Sequence, residues 1–368
     1  MNKFQKFQIF DGHNDSIQST YLNKRGKGIT ILEKSSKGHI DIYRAKQGGL
    51  IGGFFAIQVP PENIKERDQS FGFHIEENGY YIDLPAPLDQ QYAENFVNNV
   101  LNFASEIELK DDRIKIIRKK KDLPIGFDAP ISMLLHLEGA EAIKKDLSNL
   151  ESFYNKGVRS IGLFWSRQNA FGSGVQYMYP STPDIGEGLT AEGKNLIRTC
   201  NDMGIIVDLA HINQKGFWDA ISVTKKPIVV THTSVNKICA SSRSLTDEQI
   251  LAVGKSGGVI GILFEPMMIN NFGLKLPQNM SLDDVFAFLV KTPLSKIIQH
   301  IDYIVKLIGI EHVAFGADMD GAIMPSELKD ASDFQNIVKE LFKHGFKSDE
   351  IEKICYKNWY RLISETIK

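Results

Sequence analysis

Eight short apolar runs punctuate the 368-residue chain, and most are apolar throughout rather than alternating. They cover residues 7–11, 53–59, 131–137, 158–164, 205–210, 227–231, 259–264 and 312–316. A strand that is apolar on both faces has to be covered on both faces, as in a parallel sheet wrapped by helices. Helical periods lie between most of the runs. Tyr92, Phe96, Val100, Leu101 and Ile107 form one stripe, and Leu147, Leu150 and Phe153 form another before Gly157. Leu189, Leu196 and Ile197 lead to a glycine stop at Gly204. Residues 295–308 carry Ile297, Ile298, Ile301, Ile304, Val305 and Ile308 at helical spacing, and residues 348–367 read as a last amphipathic helix. Strand and helix alternating eight times predict an α/β fold, a (β/α)8 TIM barrel with inserted rim loops and a C-terminal helix. A doubly wound open sheet is the alternative.

The length fits one barrel domain over residues 1–368. Apolar residues make up 42% and charged residues 24%, close to the globular average, which argues against disorder and coiled coil. The 43 basic and 45 acidic residues nearly cancel, so nothing in the overall charge points to nucleic acid or an anionic membrane as a partner. Three scattered cysteines suit neither a disulfide framework nor a cysteine zinc site. No signal-peptide core and no membrane-length apolar run is visible, so a cytoplasmic protein is the default expectation. Two segments, residues 63–88 and 171–188, read as long irregular loops of the kind that shape a barrel's substrate pocket.

The ends of these runs carry the chemistry. His13 and Asp15 follow the first, Glu138 the third, His211 the fifth, His232 the sixth and Asp318 the eighth, with Asp320 close behind. In a barrel the carboxyl ends of all strands open on one face, where barrel active sites are built. Imidazole and carboxylate donors suit zinc or a similar borderline cation. His13 and Asp15 could take one metal, His211 and His232 a second, with a glutamate bridging; that many donors exceeds the need of one tetrahedral ion. A two-metal site activates a water and polarises a carbonyl. Asp318 would then remain as a base or acid beside the water. Each residue also has an ordinary reading. Single histidines are mostly solvated or core residues, Asp11–Asp15 resembles a turn, and Glu138-Gly139 could open a helix. Repetition at five run ends favours the site. His136 reads as core or as support for a ligand, and His39, His74, His300, His312 and His344 as solvated. Arg243, in the loop after His232, fits either a bidentate clamp for a substrate carboxylate or a salt bridge within the rim.

Several motifs in order resemble the membrane (renal) dipeptidase family, zinc-dependent dipeptidases of the amidohydrolase-like barrel group, over nearly the whole chain. They are Asp11-Gly12-His13-Asn14-Asp15, Glu138-Gly139, Ile206 through His211, Val230 through Ser234, Cys239 through Arg243 with Leu245-Thr246-Asp247, His300-Ile301-Asp302, and Phe315 through Gly321. The resemblance implies a bridged pair of zinc ions, His13 and Asp15 on one, His211 and His232 on the other, and Glu138 between them. It implies that Asp318 accepts a proton from the attacking hydroxide and passes it to the leaving amine, and that Arg243 holds a dipeptide's terminal carboxylate. It also implies a possible homodimer. Two positions depart from the mammalian pattern: Trp165 stands where a substrate-side histidine is usual, and Glu265 falls near the place of a tyrosine.

The expected function is therefore a metal-dependent dipeptidase acting on small dipeptide substrates. Trp165 and Asp320 are counted among the substrate-binding residues, and Asp15, Glu265 or Asp320 could meet the substrate's amine. Two other readings stand beside it: an amidohydrolase acting on an N-acyl amino acid or a β-lactam-like ring, and a metal-binding barrel without activity.

Overall fold

The structure is a computed structural model that describes residues 5–62, 72–76, 78–270 and 282–368. Its main sheet contains the eight expected strands: β1 (Ile9–Asn14), β2 (Leu50–Ile57), β3 (Ile131–Glu138), β4 (Val158–Gly162), β5 (Ile206–Asp208), β6 (Val229–Thr233), β7 (Val259–Ile262) and β8 (Val313–Phe315). All neighbouring pairs are parallel and follow chain order, so the sheet curls toward a (β/α)8 barrel rather than lying open. The seam between β8 and β1 closes just beyond the strand ends. There the Asp318 N–H donates to the His13 carbonyl (2.9 Å) and the Asp15 N–H to the Met319 carbonyl (2.8 Å). Lower down, the Ala317 N–H donates to Asp11 Oδ1 at 2.8 Å. The two ends of the chain's chemistry, His13–Asp15 and Asp318–Asp320, are thus stitched side by side.

Helices cover the outside where the apolar stripes predicted them. Gln90–Lys110 starts at Asp89, whose carboxylate accepts the Tyr92 N–H, and buries Phe96, Val100, Leu101 and Ile107. Ala191–Met203 starts at Thr190 and stops at Gly204, where φ is 79°. Ser295–Ile308 spans the predicted residues, with Ile297, Ile298, Ile301 and Ile304 buried.

Two expectations need correction. Residues 348–367 are not one regular helix: Ser348–Glu352 and Asn358–Thr366 flank a π-helical turn at Lys353–Lys357. The helix after that turn brings Trp359 into a buried cluster with Phe10, Phe54, Leu134, Ile206, Val229, Val259 and Ala314, residues of seven barrel strands. The Trp359 indole N–H donates to the Phe315 carbonyl at 2.9 Å, and its ring centroid lies 5.1 Å from that of Phe54. Gly12 makes room for it, since a Cβ there would stand 2.5 Å from the Trp359 ring. The C-terminal helix therefore plugs the barrel from within.

The stretch 63–88 is not wholly irregular either. Its residues 63–71 and 77 lie outside the described ones. Phe73–Glu76 and Gly79–Ile82 form a hairpin, to which Met178–Tyr179 from the other long loop adds antiparallel to Gly79–Ile82. Among the described residues no helix is long and apolar enough to cross a membrane.

Candidate metal centre

Four strands deliver the core of the site. Glu138 is the last residue of β3, His13 and His232 lie near the ends of β1 and β6, and His211 follows β5 by three residues. Their side chains meet at one carboxylate oxygen. Glu138 Oε1 lies 3.5 Å from His13 Nε2, 3.0 Å from His211 Nε2 and 3.6 Å from His232 Nε2. The His211 and His232 Nε2 atoms are themselves 3.0 Å apart. Donor atoms of His13, Asp15 and Asp318 form a second cluster, all within 4.8 Å of one another and sharing His13 with the first.

The backbone bends to achieve this. Ser166, His211, Asp318 and Asp320 all have φ between 55° and 66°, a left-handed conformation unfavourable for residues with a Cβ. Such strain gathers at functional sites, where the surrounding structure enforces it.

The far sides of the His232 and His211 imidazoles are held as a metal ligand's would be. Thr231 Oγ1 donates to Asp208 Oδ2 at 2.7 Å, so its lone pairs are free to accept from His232 Nδ1, 3.1 Å away. That fixes the proton on Nδ1 and turns the Nε2 lone pair toward the site. Asp208 is held in turn by the Ala210 and Thr231 N–H groups. His211 Nδ1 lies 3.0 Å from Ser166 Oγ. His13 is fully buried, and neither ring nitrogen has a hydrogen-bond partner. Asp15 Oδ1 is likewise buried and unpartnered.

Buried polar atoms left without partners call for an explanation, a bound ion being one, and at this site the charges favour it. Burial works against the His13 cation, yet the carboxylates of Glu138, Asp318 and Asp15 push its pKa up to about 10. Burial raises Asp15 well above the usual carboxylate range, with Glu138 adding to the effect. Burial lowers His211 to about 3, reinforced by Arg243. Three carboxylates crowding into one dry site call for positive charge, and the neutral imidazoles beside them are ready to bind it. The residues present fit divalent cations with nitrogen and oxygen preference.

Around this centre stand the other predicted residues. Arg243 is buried with its Nη2 3.1 Å from His232 Nε2. Among the described residues it has no ion pair within 4 Å. Trp165 is half-buried, its ring 6.2 Å from that of His211 and 5.0 Å from the guanidinium of the fully buried Arg167. Burial, then Asp318, pushes Glu265 up to about 8. Asp320 has a different use. Its carboxylate accepts from Ser16 Oγ (2.6 Å) and the His39 N–H (2.6 Å), with Arg25 Nη1 at 3.5 Å. It ties the loop around His39 to the barrel mouth instead of facing a ligand.

His136 is buried against Ser160 and Asp208, as support rather than ligand. His300 is not solvated. It is buried, accepting the Val235 N–H at Nδ1 and bonding the Ile269 carbonyl through Nε2. Tyr177 is a site residue the strand pattern did not reveal: its ring lies 5.8 Å from that of His211 and 5.6 Å from the Arg243 guanidinium. It sits in a loop, and only the local density of aromatics, Tyr177-Met178-Tyr179, hinted at it.

The chain as a whole is similar to known proteins. The family model described as membrane dipeptidase (Peptidase family M19) matches residues 3–368. An uncharacterized protein from the PQQ-III 3' region of Acinetobacter calcoaceticus is 30% identical over 298 residues, 80% of this chain and 88% of that one. Dipeptidase tcpJ of Claviceps purpurea is 26% identical over 96% of this chain and 76% of its own length. Among solved structures, a metallo peptidase from Rhodobacter sphaeroides, liganded with a phosphinate mimic of the dipeptide L-Ala-D-Ala, superimposes with a TM-score of 0.86. It is 30% identical and covers 98% of this chain and 100% of its own.

Proposed function

Because the chain belongs to the membrane dipeptidase family and is a metal-dependent dipeptidase, we propose that its strand-end donors hold two divalent ions, zinc by preference, bridged by Glu138. His13 and Asp15 serve one ion, His211 and His232 the other. The observation that carries this reading is the convergence of three imidazoles on one glutamate oxygen, at 3.0 to 3.6 Å. A metal pair supplies Lewis acidity to the scissile carbonyl and lowers the pKa of water.

The chain's own residues do the rest. Arg243 takes the substrate's terminal carboxylate through its buried guanidinium, which sits beside His232. Asp318 is set beside His13 and Asp15. It accepts the proton released by the attacking water and delivers it to the leaving nitrogen, which departs as a neutral amine. Trp165 and Tyr177 wall the pocket over His211. The substrate's amine falls to Glu265 or Asp15, since Asp320 is spent on the loop at His39.

The test is to purify the protein, determine its metal by elemental analysis, and assay dipeptides against N-acyl amino acids and β-lactams. Turnover of dipeptides that stops with chelator supports the reading. Preference for N-acyl amino acids at equal metal content would move the activity to another amide class.

A further inference from the structure

Tyr177 touches both halves of the site. One aromatic ring neighbours both the His211 imidazole, edge-on at 66° and 5.8 Å away, and the Arg243 guanidinium, 5.6 Å from its centroid. An imidazole pledged to the hydrolytic centre and a cation pledged to the substrate's carboxylate thus share one ring as a spacer at their side, while Arg243 Nη2 also meets His232 Nε2 directly at 3.1 Å.

The spacer is held in place from both sides. Before it, the Val175 N–H donates to the His211 carbonyl at 2.8 Å. After it, the Met178 N–H donates to Ser242 Oγ (2.9 Å) and the Ser242 N–H to the Met178 carbonyl (3.0 Å). Ser242 is the neighbour of Arg243, and its hydroxyl also bonds the Gln176 carbonyl. On the outer side, the Tyr177 carbonyl accepts the Ile82 N–H at 2.9 Å, and Gln176 Nε2 donates to the Ile82 carbonyl at 2.8 Å. The loop carrying Tyr177 is therefore tied to the segments that carry His211 and Arg243, and braced by the rim hairpin.

We propose that Tyr177 is a positioning residue that sets the distance between the hydrolytic centre and the Arg243 clamp, and so selects amides of α-amino acids over longer homologues. This rests on the reading of Arg243 as the carboxylate clamp. In an α-linked dipeptide one carbon separates the amide nitrogen from the carboxylate. A β-alanyl second residue adds one C–C bond, about 1.5 Å, which a fixed clamp does not accommodate. Beside its contact with His232, the clamp meets Tyr177 through guanidinium and ring face, so the ring matters and the phenolic hydroxyl does not.

The experiment measures kcat and KM for Ala-Ala, Ala-β-Ala and Ala-Ala amide, with bound metal, in wild type and in Tyr177→Phe, Tyr177→Met and Arg243→Met. Wild type should prefer Ala-Ala to Ala-β-Ala, a result that needs no variant. Tyr177→Phe should keep that preference. Tyr177→Met should raise KM for Ala-Ala roughly tenfold with little change in kcat. It should also shrink the preference over Ala-β-Ala, cost the amide less than it costs Ala-Ala, and leave the metal content alone. Equal losses on all three substrates, a wild type indifferent to the extra carbon, or a Phe variant behaving like the Met variant would each overturn the proposal. If Arg243→Met fails to separate free dipeptide from amide, the clamp reading itself has failed. If it does separate them and Tyr177→Met does not, only the role of Tyr177 falls.

Discussion

His232 shows how much a single side chain depends on what stands behind it. Its Nε2 is available because Thr231 and Asp208 hold the opposite nitrogen. Thr231→Val keeps the shape and removes that partner. Metal affinity should fall by about 10- to 100-fold, the usual effect of losing a ligand's hydrogen-bonded support; competition with a fluorescent chelator would measure it, and an unchanged affinity would dismiss the relay. Asp318 calls for a different signature. Asp318→Asn should keep the metal bound at His13, Asp15, Glu138, His211 and His232 while lowering kcat by about 10² to 10⁴, so that elemental analysis and steady-state rates part company. Normal turnover in that variant would remove Asp318 from the proton path. At this scale the sequence was informative where a residue lies at or just past a strand's end, as Glu138, His211, His232 and Asp318 do. It was silent where a loop folds back: Tyr177 reaches His211 through a long connection, and Asp320 meets His39 from 281 residues away. Neither pairing leaves a periodic trace.

Among the elements, the π-helical turn at Lys353–Lys357 matters most, because the helix after it carries Trp359 into the barrel. Trp359→Ala should cost about 3–5 kcal/mol of stability, the range for emptying a buried aromatic site, and lower the thermal midpoint without altering the donor residues at the other end of the strands. A midpoint within a degree of wild type would contradict the plug. Ser295–Ile308 carries a pH-dependent tie as well. Burial lowers His300 to about 4 in the folded chain, against about 6.5 when unfolded. The unfolded chain then binds the extra proton over that window. The His300 contribution is fully present above about pH 6.5 and is lost as the pH falls toward 4. Denaturant midpoints between those values should therefore fall less steeply in His300→Gln than in wild type; identical slopes would mean that His300 titrates normally. All eight barrel strands could be read from apolar runs, but with shifted ends: β1 extends to Asn14, which puts His13 inside the strand, and β2 begins at Leu50. The two-residue strand Met178–Tyr179 pairs with Tyr81 and Tyr80, almost a hundred positions away, and is too short to show a period of its own.

For the whole molecule, the barrel turns sequence distance into proximity. Its parallel strands follow chain order, and the seam between β8 and β1 brings Asp318 to His13. One end is filled by Trp359 and its neighbours, and the other carries the donors. That division lets a dry, rigid interior support a site whose carboxylates and imidazoles are costly to bury without a cation. The most direct measurement strips the protein with chelator and titrates zinc back while following dipeptide hydrolysis and bound metal together. Activity should be absent from the stripped protein and rise to a plateau at about two equivalents per chain, as a bridged pair requires. Full turnover by protein verified to be metal-free would contradict the assignment of these strand-end residues as the catalytic metal site.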